Sequence, residues 1–246
     1  MANRYWVGGT GNWSDATNHW ATSSGGAPGA GNTPTSADNV YFDASSFSGA
    51  GQTVTVDAAA NCLDMDWTGA TNTPTLAGSS DLNIYGSLTF ITAMVLTYNG
   101  VIYFRSAAAG RTITPAGLTI ESHVWFPSAG GWIFQDDWNQ TGYIGFINGT
   151  LNTNGKIVTS TGFEIQNADV KTITLGASVL NLGASGWNNI GTNLTLTVNT
   201  AVIKITGVAP FNGAGITTFN EVQLNGTAHT ISGSNTIKTL RLKPSG

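Results

Sequence analysis

From Thr53 onward, apolar and polar residues alternate in short runs, as in Thr53-Val54-Thr55-Val56, Leu82-Asn83-Ile84-Tyr85, Leu194-Thr195-Leu196-Thr197-Val198 and Val202-Ile203-Lys204-Ile205. A period of two sends successive side chains to opposite faces of a strand, so each run buries one face and wets the other. The helical signal is missing: no stretch of about a dozen residues keeps apolar positions at i, i+3, i+4 and i+7 without a glycine or a strand-like interruption. The pattern predicts an all-β chain with almost no helix.

Gly, Asn, Ser and Asp separate the runs, as in Leu76-Ala77-Gly78-Ser79-Ser80, Ile147-Asn148-Gly149-Thr150 and Leu224-Asn225-Gly226-Thr227. Asn and Gly supply the left-handed backbone that tight corners need. Many short strands at close spacing fit a sandwich, a barrel or a solenoid, and the choice turns on whether segments resemble one another. Gly86-Ser87-Leu88-Thr89-Phe90, Gly149-Thr150-Leu151-Asn152-Thr153 and Gly155-Lys156-Ile157-Val158-Thr159 each follow a glycine with a polar residue, an apolar one and alternation. Phe219 to Leu224, Thr227 to Ile231 and Thr236 to Leu242 read as one rung and the start of the next. The predicted fold is a right-handed parallel β-helix, a β-solenoid, with a β-sandwich as the alternative. Composition agrees. Only 9% of residues are charged, against roughly 25% in ordinary globular chains. Stacked rungs bring equivalent positions together, where Thr, Asn and Val ladders support one another and like charges repel.

Residues 1–45 differ from the rest. Trp6, Trp13 and Trp20 recur every seven residues and precede a loop-like stretch from Ser23 to Pro34. A first rung exposes apolar core and an unpaired strand edge, so a tryptophan-rich cover is physically required. The expected division is a cap or attachment segment at 1–45 and a solenoid body at 46–246.

The run Tyr5-Trp6-Val7-Gly8-Gly9-Thr10-Gly11-Asn12-Trp13-Ser14-Asp15-Ala16-Thr17-Asn18-His19-Trp20, with Pro34 and Ala37-Asp38-Asn39-Val40-Tyr41-Phe42-Asp43 after it, is similar to the opening of β-helical autotransporter-type adhesins and of related phage tail and virion proteins. Gly149 to Lys156 and Leu175-Gly176-Ala177-Ser178 resemble rung sequences of that group. The resemblance implies a surface or virion structural protein without catalytic residues. Its phage branch, assembled in the host cytoplasm, needs neither a secretion signal, which Met1 to Gly9 do not provide, nor an outer-membrane barrel, so it is preferred to a bacterial cell-surface adhesin. A tailspike-type polysaccharide depolymerase of the same architecture is the enzymatic alternative.

The net charge is −4, and nine Lys plus Arg are scattered singly. They offer no basic stripe for phosphates, so nucleic acid is not an expected partner. No segment approaches the roughly 18 consecutive apolar residues of a membrane span. Cys62 reads as a buried thiol, and His19, His123 and His229 have no metal-ligand spacing, so no cofactor or metal is expected.

Two carboxylate pairs merit testing. Asp64 and Asp66 alternate on one strand face, roughly 6 to 7 Å apart, a separation that paired-carboxylate hydrolysis uses, although a solvated strand face is the plainer reading. Asp136 and Asp137 are surrounded in sequence by Trp125, Trp132, Trp138 and Tyr143. Sugars stack on aromatic faces while their hydroxyls bond carboxylates, so these six residues form the expected site for a host-surface polysaccharide. The opposing reading places the aromatics inside the coil and the aspartates at a corner.

The Thr pairs 53/55, 112/114, 172/174 and 195/197 suggest a flat hydroxyl array, but the intervening rungs are expected to interrupt it. Finally, Leu240 to Gly246 carries no aromatic cover, so identical copies around a three-fold axis, or other virion proteins, are expected to cover that rung. Lys238, Arg241, Lys243 and Pro244 would then limit edge growth.

Overall fold

The computed structural model describes residues 1–214, 218–226 and 228–243. The chain coils as a parallel β-helix: successive strands turn corners onto different faces, and strands about twenty residues apart in sequence pair in parallel. Among the described residues, the strands form sheets of ten, fourteen and four; the fourteen-stranded one holds two ladders, joined through the long strands Ile157–Ile165 and Val179–Asn189. The solenoid expectation holds and the sandwich does not. The helix among the described residues is the four-residue turn Ala16–His19.

Register is clearest along one ladder of the fourteen-stranded sheet. Its inward column runs Ala60, Leu82, Ile102, Val124, Ile144, Phe163, Trp187, Phe211 and Ile231, one residue per rung. Rung length varies: Ile144 to Phe163 spans 163 − 144 = 19 residues, and Phe163 to Trp187 spans 187 − 163 = 24. The strands stay aligned because insertions fall at the corners, while each strand retains the alternation that buries one column.

Corners follow the expected chemistry. Asn154, Asn167, Asn193 and Asn199 have positive φ, as do Gly78 and Gly149. Gly78, at φ +113°, lies opposite Val56 on the rung before, and a β-carbon there would overlap the Val56 backbone. Only glycine lets the two rungs close at that point.

At the start of the chain, Trp6, Trp13 and Trp20 form one aromatic cluster. Trp6 meets Trp20 edge-on at 5.0 Å, and Trp13 meets Trp20 at 4.8 Å. The Trp6 and Trp20 indole N–H groups donate to the carbonyls of Gly9 and Trp13, each at 2.7 Å. The seven-residue spacing therefore comes from a strand, a turn and one helical turn. Phe42 continues the stack onto Trp67 at 3.6 Å. The expected cap and body share sheets: the strand Asn3–Trp6 pairs in parallel with Asn39–Tyr41, which pairs with Met65–Asp66. Residue 45 is no break in the pairing.

On the strand Thr236–Lys243, Leu240 and Leu242 pair with Val222 and Leu224 and keep the inward parity, yet are 44% and 70% exposed. Lys238, Arg241 and Lys243 lie on this strand; Pro244, like Thr227 of the preceding strand expectation, lies outside the described residues.

Candidate functional site

In the strand Val124–Phe126, Val124 and Phe126 point into the coil, so Trp125 points out. On the next rung, Tyr143–Phe146, the same parity turns Tyr143 and Gly145 outward. Gly145 stands opposite Trp125, and the indole lies against its backbone. Tyr143 stands across the indole edge, ring centroids 5.4 Å apart and planes at 85°. His123 packs on Tyr143 at 4.0 Å, and its Nδ1 accepts the Tyr143 backbone N–H at 3.2 Å. In the neutral ring the proton is then on Nε2, available as a donor.

The outward column through Trp125 runs Asn83, Tyr103, Trp125, Gly145 and Glu164. At one end the Arg105 guanidinium lies 4.6 Å from the Tyr103 ring centre, and its Nε donates to Asn83 Oδ1 at 2.6 Å. At the other end Glu164 accepts from Gln166 Nε2 at 3.1 Å. Burial pushes the Tyr143 phenol above its ordinary range, and the Glu164 charge and Tyr103 push the same way. The phenol therefore stays protonated and keeps a hydrogen to donate. The strip is an aromatic floor with a perpendicular wall, a cation at one end and a carboxylate at the other. From the Arg105 rung to the Glu164 rung is three strand spacings, about 14 Å.

The six residues expected to converge do not. Trp125 and Tyr143 reach this strip, whereas Trp132 (1% exposed) packs inside against Phe104 and Phe126. Trp138 is fully buried, stacks on Phe134 at 4.7 Å and donates to Gln140 Oε1 at 2.8 Å. Asp136 and Asp137 accept the backbone N–H groups of Ala116 at 2.8 Å and Ile157 at 2.9 Å. Strand parity accounts for the tryptophans: Trp132 and Trp138 occupy inward positions of their strands, whereas Trp125 occupies an outward one. The opposing reading, aromatics within and aspartates at a corner, describes these four residues.

Asp64 and Asp66 do flank the inward Met65, but each is held by backbone: Asp64 Oδ1 accepts Ser87 N–H at 2.6 Å and Asp66 Oδ1 accepts Thr68 N–H at 2.8 Å. All four carboxylates singled out by the sequence thus serve as backbone acceptors. Cys62 is buried, and burial pushes its thiol pKa up. His19 is buried and stacks on Trp6 at 4.6 Å.

The threonine pairs form no continuous array, as expected: Thr112 pairs with Ile133 on the next rung. Thr172 and Thr174 pair with Thr195 and Thr197 on adjacent rungs, after Thr150 and Asn152 on the rung before. Thr53 and Thr55 lie on the four-stranded face instead. A concavity of about 440 Å³ between Leu224, His229, Ile231, Leu240 and Leu242 is far from the aromatic strip. Its walls include the core-parity side chains Leu224, Leu240 and Leu242 of the final described rungs.

Tyr103, Arg105 and Glu164 escaped the sequence reading, and His123 entered it only as a histidine without metal-ligand spacing, because the strip is assembled from rungs about twenty residues apart. A signal was present. Leu82-Asn83-Ile84, Ile102-Tyr103-Phe104, Val124-Trp125-Phe126, Ile144-Gly145-Phe146 and Phe163-Glu164-Ile165 are five apolar–x–apolar triplets, and their middle residues are the outward column. Compared with known proteins, the chain significantly matches no family model, no curated protein and no solved structure.

Proposed function

We propose that this chain is a non-enzymatic structural β-solenoid, a tail-fibre, spike or head-decoration component of a phage virion, that binds a host-surface glycan on the strip around Trp125. One observation carries the glycan reading: an outward indole rests on glycine backbone beside a perpendicular tyrosine. An aromatic ring buttressed from beneath offers its free face to the apolar side of a pyranose, and Tyr143, His123 and Glu164 supply hydrogen-bonding groups around it. A rigid sheet pre-positions all of them, so little ordering entropy is lost on binding. The virion setting is supported by the resemblance of residues 5–43 to phage tail and virion proteins. Against the depolymerase alternative stand the roles of Asp64, Asp66, Asp136 and Asp137 as backbone acceptors.

The test is a glycan array probed with the purified protein, followed by calorimetric titration of any hit and an assay for new reducing ends. Binding that disappears in a Trp125→Ala variant, without release of reducing ends, is the expected result. Absence of binding across the array would overturn the glycan reading, and turnover would overturn the non-enzymatic one.

A further inference from the structure

We infer that the strip selects acidic glycans, with Arg105 as the residue that reads the acid. The inference rests on the glycan reading above and adds the substrate class. The chain has four arginines, and among the described residues three have carboxylate partners: Arg4 with Asp38, Arg111 with Asp64 and Arg241 with Glu221. Arg105 has none there. Its guanidinium is nevertheless held twice, by the Tyr103 ring beneath it and by Asn83 Oδ1 at Nε. The two terminal nitrogens have no protein partner among the described residues.

A guanidinium set over an aromatic ring with its Nε bonded has its remaining N–H groups held as a fork, which a carboxylate or a sulfate accepts in a bidentate manner. Holding the fork in advance removes most of the side-chain entropy that a free surface arginine would lose. Its position completes the argument. Tyr103 precedes Trp125 on the same outward column, so a sugar on the indole has a neighbouring residue within reach of Arg105. Glu164 lies two rungs beyond Trp125 on that column and repels a second acid there. The strip therefore also sets direction, with the acidic residue of a linear glycan at the Arg105 end.

The experiment compares each acid with its neutral counterpart: tri-galacturonate with its methyl ester, and sialyllactose with lactose. Wild type should bind at least one acid at least about tenfold more tightly than its counterpart, a preference that weakens as salt is raised. Arg105→Gln should reduce the acid-over-neutral preference to near unity. Arg105→Lys, which keeps the charge without the fork, should retain only part of it. Asn83→Ala, which frees Nε and leaves the guanidinium intact, should also weaken it. Equal binding of acid and ester, or a preference that survives Arg105→Gln, would overturn the inference while leaving the stacking reading intact. Failure of every sugar, acid or neutral, would overturn the stacking reading and this inference with it.

Discussion

The indole of Trp125 rests on the backbone of Gly145, its partner one rung along the fourteen-stranded sheet, so closely that a β-carbon at position 145 would overlap Cε3. Gly145 is not in the left-handed region, so alanine is tolerated by the backbone there. Gly145→Ala should displace the indole with little effect on folding, because a partly exposed side chain can swing outward. We predict a shift in tryptophan emission, a change in melting temperature of no more than a few degrees, and at least about a tenfold loss of glycan affinity. An unchanged affinity would remove Trp125 stacking as the basis of binding.

Tryptophans 13 residues apart should behave oppositely (138 − 125 = 13). Trp138 is fully buried and stacked on Phe134. Trp138→Ala should destabilise by about 3–5 kcal/mol through lost burial and the cavity left behind. Trp125→Ala should cost less than about 1 kcal/mol of stability while abolishing glycan binding. Chemical denaturation of both variants, beside a binding titration, separates the two roles.

Asp136 and Asp137 should matter for stability alone. Each accepts a backbone N–H at a corner, from Ala116 and Ile157. Replacing either by alanine leaves that donor to water and should cost on the order of 1 kcal/mol. Affinity for glycan should be unchanged in the double variant. A sugar-cleaving activity that vanished with these two side chains would falsify the non-enzymatic assignment.

Acid should loosen the N-terminal segment. Burial would raise the Asp38 pKa, but bonds from the Thr35 hydroxyl and N–H, the nearby Arg4 and the Ala2 N–H together hold it below the ordinary value of 3.8. A carboxyl with a depressed folded-state pKa contributes stability that is fully present above its unfolded value and lost as pH falls through the folded one. Asp57, which accepts from the Ser14 N–H and hydroxyl, is shifted the same way, again against the effect of burial. Melting curves from pH 7 down to about 2 should show wild type losing stability below about pH 4. An Asp38→Asn/Asp57→Asn variant should start lower at neutral pH and lose less over that interval; parallel losses would refute the clamp.

The alternation in Thr53–Val56 or Leu82–Ile84 was sufficient to determine strands, because side-chain parity acts within a few residues; the likeness among glycine-led segments favoured a solenoid, and the parallel pairing of successive rungs decided it against the sandwich. The tryptophans at 6, 13 and 20 pack into one cluster. Tertiary structure decided what stacks on what. Rungs of 19 and 24 residues share one register, since corners absorb the difference while the backbone ladder and the buried column hold the strands aligned. A residue's neighbour on the face is thus the one that a variable corner delivers, rather than one at a fixed offset. Tyr103, Gly145 and Glu164, each delivered by a corner, thus complete the surface around Trp125, while Trp132 and Trp138 take inward positions on their own strands and lie inside the coil.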